Sequence, residues 1–131
     1  MRKILVGTHG HFGEELLRSA EMIIGNVEDA IALSLEPGMA MEDYMEIIQV
    51  ELSKLPEDTI CLVDLYGGTP STTFTILSQN FNNIVITGLN LAMFIEVYSQ
   101  RDTLSTEDLA QCALDTLSMS GRNVTKELKG N

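Results

Sequence analysis

Apolar positions along the chain fall into two kinds of run. Ile4-Leu5-Val6 and Ile60-Cys61-Leu62-Val63 are unbroken, rich in aliphatic residues, and each gives way to a loop of Gly and Thr followed by a helical pattern. Continuous short runs of this kind are the mark of parallel strands buried on both faces. Ala30–Leu35 and Ile84–Thr87 are two further candidates. Between them the spacing changes. Leu16, Leu17, Ala20, Ile23 and Ile24 recur at helical intervals ahead of Gly25, a residue suited to the C′ position. A second helix is predicted from about Met41 to Leu55, with Tyr44, Ile47, Ile48 and Leu52 on one face and Pro56 past its end. A third starts at Thr69-Pro70, with Thr69 as the cap and Pro70 in the first turn. A short helix follows near Leu91–Ser99, then one from about Thr106 to Met119, capped by Ser105 and carrying Glu107 and Asp108 in its first turn.

Strands alternating with helices predict an α/β fold: an open, mostly parallel sheet in the order 2-1-3-4, with helices on both faces and right-handed crossovers. The tail, Asn123–Leu128, mixes β-branched and charged residues and is too short for a helix of its own, so it reads as an edge strand.

Composition narrows the functions. The 131 residues suffice for one domain, 1–131, with a core that needs no staples. Eight Lys and Arg against 19 Asp and Glu give a net charge of −11, which disfavours nucleic acid and anionic lipid as partners. Twelve of the acids lie between Glu14 and Asp58, against only Arg18 and Lys54; they read first as solvated helix faces and second as a field that steers a basic partner. The absence of an apolar stretch of ~18 residues and of a signal-peptide pattern leads to a cytoplasmic expectation. Cys61 and Cys112 are expected to be reduced core residues, and no Cys/His cluster has zinc spacing. Most of the seven Met, Met39, Met41 and Met45 among them, are expected to pack rather than bind a cofactor.

Chemistry concentrates in two loops. In an open parallel sheet, ligands bind at the carboxyl ends of the strands, where connections diverge. After the first strand comes Gly7-Thr8-His9-Gly10-His11-Phe12-Gly13, and after the third Asp64-Leu65-Tyr66-Gly67-Gly68-Thr69-Pro70-Ser71. With the order 2-1-3-4 these loops flank one cleft and a histidine meets a carboxylate. A carboxylate that binds one ring nitrogen of His9 leaves the other as a nucleophile, and Gly10, Gly68, Thr69 and Ser71, at two helix starts, are candidates to stabilise a phosphoryl group. His9 and Asp64 therefore form a candidate phosphohistidine site that requires no metal or cofactor. His11 is the alternative ring. Read singly, Asp64 could equally be a cap, and Gly67-Gly68-Thr69-Pro70 a plain strand-to-helix turn.

Through Ile4-Leu5-Val6-Gly7-Thr8-His9-Gly10 and Leu62-Val63-Asp64-Leu65-Tyr66-Gly67-Gly68-Thr69-Pro70, and more weakly through Thr87-Gly88-Leu89-Asn90-Leu91-Ala92-Met93, the chain resembles the enzyme IIA domain of the mannose family of the phosphoenolpyruvate-dependent sugar phosphotransferase system (PTS). The resemblance implies that His9 carries the phosphoryl group on Nε2 and that Asp64 orients its ring through Nδ1. It implies a phosphotransferase that takes phosphate from the histidine-containing phosphocarrier protein (HPr) and passes it to a IIB component. The membrane components IIC and IID would be served indirectly. It also implies a homodimer in which a terminal antiparallel strand is exchanged, for which Asn123–Leu128 is the candidate. IIB, often fused to such domains, would lie on a separate polypeptide or outside this sequence. Three other readings stay open: a phosphatase or mutase, for which Thr8 stands where a phosphate-clamping arginine would be needed, a flavodoxin-like binding protein, and a regulatory module that senses phosphorylation.

Overall fold

The computed structural model describes residues 1–130. Its sheet has four parallel strands in the order β2-β1-β3-β4, formed by β1 (Ile4–His9), β2 (Ala30–Leu35), β3 (Ile60–Val63) and β4 (Ile84–Thr87). The helices are α1 (Phe12–Ile24), α2 (Met41–Ser53), α3 (Thr69–Phe81), α4 (Leu91–Gln100), α5 (Thr106–Ser120) and α6 (Val124–Leu128). The predicted order and alternation hold.

Two cores sit on opposite faces of the sheet because successive strand residues point to opposite sides. Ile4, Val6, Ile60 and Leu62 pack with Leu16 and Ala20 of α1, Phe94 and Val97 of α4 and Leu109 of α5. Leu5, Cys61 and Val63 pack with Tyr44 and Ile48 of α2 and Phe74 and Leu77 of α3. The central strands are thus covered on both sides, which is why they read as continuous apolar runs. The anticipated helix ends are present: the Gly25 N–H donates to the Glu21 carbonyl at 3.1 Å, and Ser105 Oγ accepts from the Asp108 N–H at 3.1 Å.

The structure corrects the sequence reading in four places. First, β1 continues past Val6 through Gly7 and Thr8 to His9, in register with Leu33, Ser34 and Leu35 of β2, so His9 ends a strand rather than lying within a loop. The sequence placed a break there because Gly weakens a strand; here Gly7 is required by packing. A Cβ on Gly7 would lie 2.2 Å from Cε2 of the buried Phe74. Second, α3 is capped by Gly68 in extended conformation, and Thr69 is its first helical residue. Third, Cys112 is half-buried on α5 instead of in a core, while Cys61 is buried, and both are free thiols. Burial pushes the Cys61 thiol up to about 12, so it stays protonated.

The fourth correction concerns the tail, which forms the short helix α6 in place of an antiparallel strand. Asn123 Oδ1 accepts from the Lys126 N–H at 2.9 Å, and the Arg122 Nε donates to Glu127 at 3.1 Å. These contacts close a helical turn locally, whereas a strand must find a free sheet edge to pair with.

Candidate active site

The sheet diverges between β1 and β3. From β1 the chain runs through α1 to β2, and from β3 through α3 to β4 on the other side, which opens a crevice at the carboxyl ends of the two central strands. His9 is the last residue of β1 and Asp64 the first after β3. The register pairs Gly7 with Val63, and the Asp64 N–H donates to the Gly7 carbonyl at 3.3 Å, so the two strand ends leave the sheet together.

Asp64 holds His9 twice through one oxygen. Its Oδ2 accepts from the His9 backbone N–H at 3.0 Å and from ring Nδ1 at 2.9 Å. A carboxylate only accepts, so Nδ1 carries a proton and, in the neutral ring, the lone pair lies on Nε2. The His9 side chain is 47% exposed and that of Asp64 13%, so the ring is open to an incoming molecule while its orienting acid is not. Asp64 Oδ1 is buried and without a partner among the described residues, so the carboxylate's bonds are made to His9 alone.

The ring rests on Gly68. A Cβ there would lie 2.7 Å from His9 Cε1 and 3.2 Å from Nε2, so a bare Cα is required. That contact also brings the N-terminus of α3 beside Nε2. Within this turn the Gly68 N–H donates to the Leu65 carbonyl at 3.3 Å, and the first intrahelical bond runs from the Thr72 N–H to the Gly68 carbonyl at 2.9 Å. The helix start therefore leaves the N–H groups of Thr69 and Ser71 for an anion. The Gly10 N–H, like that of Gly68, is already committed, to the Leu35 carbonyl at 2.8 Å. Of the four residues expected to stabilise phosphate, Thr69 and Ser71 offer donors, Gly68 is a seat for the ring, and Gly10 turns the chain into α1.

His11 is differently placed. It stands at the N-cap of α1 without capping through its side chain, and both ring nitrogens face carboxylates: Nδ1 that of Glu14, and Nε2 that of Glu36 at 3.2 Å. Neither nitrogen is left as a nucleophile, which favours His9. Capping falls instead to Thr8, a fully buried residue that sequence reasoning passed over. Its Oγ1 accepts from the Gly13 N–H at 2.9 Å and donates to the Gly10 carbonyl at 3.3 Å, bracing the loop between His9 and α1. The signal available in the sequence was a hydroxyl at the end of an otherwise apolar strand.

Residues 3–114 match the model of a protein family, EIIA-man, described as the PTS system fructose IIA component. The chain belongs to that family. Over 130 residues it is 34% identical to the PTS system mannose-specific EIIAB component of Escherichia coli (strain K12), covering 96% of this chain and 39% of that protein. The chain thus spans about two fifths of the length of that relative. It is 30% identical over 112 residues to the PTS system fructose-specific EIIA component of Bacillus subtilis (strain 168), covering 83% and 77% of the two chains. Among solved structures, phosphotransferase system component EIIA from Streptococcus agalactiae superposes with a TM-score of 0.89 at 28% identity, over 96% of this chain and 99% of that one.

Two small clefts flank the site, one of about 240 Å³ touching Phe12, Leu16 and Leu91, the other of about 200 Å³ touching Tyr66, Ser71 and Ile76. Phe12, Leu65 and Tyr66 project their side chains into solvent around the histidine. Among the described residues no helix is long and apolar enough to cross a membrane, and no group of three or more His, Cys, Asp or Glu side chains is arranged to hold a metal.

Proposed function

We propose that this chain is a phosphocarrier of a sugar phosphotransferase system, with His9 as the residue that carries the phosphoryl group and Asp64 as the residue that orients it. The observation that carries the reading is the 2.9 Å contact from His9 Nδ1 to a mostly buried carboxylate, on a half-exposed ring whose Nε2 makes no hydrogen bond among the described residues. In the forward step the Nε2 lone pair attacks phosphorus on the phosphohistidine of the donor, HPr. The new N–P bond forms as the donor's N–P bond breaks, and the electron pair returns to the donor ring. The imidazole of His9 becomes cationic as it is phosphorylated, and the Asp64 carboxylate beneath Nδ1–H stabilises that charge. The N–H groups of Thr69 and Ser71 at the α3 N-terminus receive the phosphoryl oxygens. Transfer to a histidine of the IIB component reverses the sequence, on the cytoplasmic side of membrane components IIC and IID. A shallow site ringed by Phe12, Leu65 and Tyr66 suits a group handed between proteins better than a small enclosed substrate.

The test is phosphorylation with phosphoenolpyruvate, enzyme I and HPr, read by intact-protein mass spectrometry. Wild type is expected to gain one acid-labile phosphoryl group, His9→Ala to gain none, and His11→Ala to keep it. Asp64→Asn is expected to fold and to transfer roughly 10- to 100-fold more slowly, by analogy with removing the partner that orients a histidine elsewhere. Label on His11→Ala but not on His9→Ala supports the assignment; the opposite pattern overturns it.

A further inference from the structure

His11 has no part in the chemistry proposed for His9, yet it is held from two elements at once. Its ring bridges Glu14 on α1 and Glu36 in the segment after β2, and thereby ties together elements on two sides of the loop that follows the phosphorylatable ring. Glu36 directly follows Leu35, whose Cα pairs with that of His9, and His11 lies two residues from His9, at most about 7 Å along the chain. We propose that the imidazolium of His11 is an electrostatic support for phosphotransfer, clasping Glu14 and Glu36 so that these carboxylates do not oppose the incoming phosphoryl group. The proposal rests on the reading of His9 as the acceptor.

The physical argument is one of charge at short range. With His11 protonated, the three side chains carry a net −1; with His11 neutral they carry −2, beside a group that arrives with a charge of about −2. The protonated form also has donors on both ring nitrogens, one for each carboxylate, whereas a neutral ring leaves one nitrogen's lone pair facing an anion. The hydrogen bond to Glu14, followed by the charges of Glu36 and Glu14, holds the His11 ring above its ordinary range, so the clasp persists to higher pH than the charge of a free imidazole and opens as the solution becomes alkaline. The other groups nearby do not replace it: Asp64 is engaged with His9, and Glu15 pairs with Arg18.

The experiment measures single-turnover transfer from phosphorylated HPr to the full chain as a function of donor concentration and pH, with His11 titrated in parallel by NMR. His11→Gln should lower the saturating rate roughly two- to fivefold at neutral pH without weakening donor binding, the size expected for one partly screened surface charge. His11→Lys should restore the rate and abolish the alkaline decline that tracks His11 titration in wild type. Replacing Glu14 and Glu36 by Gln in the His11→Gln background should also restore it. A His11→Gln protein that matches wild type at every pH overturns the proposal, as does a slow one that neither Lys nor removal of the carboxylates rescues. Wild-type protein that takes no phosphate on His9 would instead refute the underlying function.

Discussion

The proposal that His9 is a nucleophile rests on what lies within a few ångströms of each ring nitrogen. Two acceptor–donor contacts to one Asp64 oxygen settle the tautomer, while His11 has both nitrogens occupied. The sequence ranked His9 above His11 through its place at the end of the first strand and the matching Asp64 of the second loop; the structure adds a stereochemical reason. Gly68 is the clearest gain at this scale. Sequence reasoning valued it as a flexible donor of an N–H, but that N–H is used in a turn, and the residue matters because it has no Cβ. Gly68→Ala is expected to displace the ring and slow phosphotransfer about 10- to 100-fold, the scale of an ångström-sized misplacement. The backbone φ of −78° at this position accepts alanine, so thermal unfolding should change little. Rapid transfer by that variant would show that the ring is not seated there.

At the scale of elements, strong local signals were readable and long-range ones were not. The amphipathic repeat of α1, its Gly25 stop and the Ser105 cap of α5 depend on residues within one or two turns, and each is where the sequence placed it. The far end of β1 depends on a neighbour remote in sequence, because Gly7 admits the ring of Phe74 to the backbone. Gly7→Ala should therefore destabilise the protein by about 1–3 kcal/mol through overpacking, measurable as a lower urea midpoint with an unchanged m-value. Tyr44 completes this wall. It packs edge-on against Phe74 and donates from its hydroxyl to the Leu33 carbonyl at 2.8 Å, and burial pushes its ionisation far upward, with the nearby Asp64 charge adding to the effect. The tail shows the reverse failure. Its composition suggested a strand, yet Asn123 and the Arg122–Glu127 pair supply enough local bonding for one helical turn.

For the whole molecule the exposed tail is the element that needs cover. Helix α6 buries no residue, Val124 is 68% exposed and Leu128 86%. A helix of five residues has almost no stability of its own in water, so the segment should gain cover from a second copy of the chain. Sedimentation equilibrium is expected to return twice the 14.4 kDa protomer mass, and removal of residues 122–131 to shift the equilibrium toward one protomer. A full-length protein that sediments as a monomer at all accessible concentrations would remove the basis for a dimer. The charge of −11 acts at this scale too. It is concentrated on α1, α2 and their flanking loops, beside the β2 edge, where it keeps the surface solvated.

The sequence by itself determined the alternation of strands and helices and the two loops in which, given the order 2-1-3-4, a histidine and a carboxylate would meet. It could do so because hydrophobic periodicity and topological handedness are local or nearly universal constraints. Only the tertiary structure decided which oxygen of Asp64 binds which atoms of His9, which amides at the helix starts are spent, and why Gly7 and Gly68 must lack side chains. The contacts of Asp64 and Gly68 with His9, and of Gly7 with Phe74, join segments more than fifty residues apart, where an ångström of register separates a hydrogen bond from a collision.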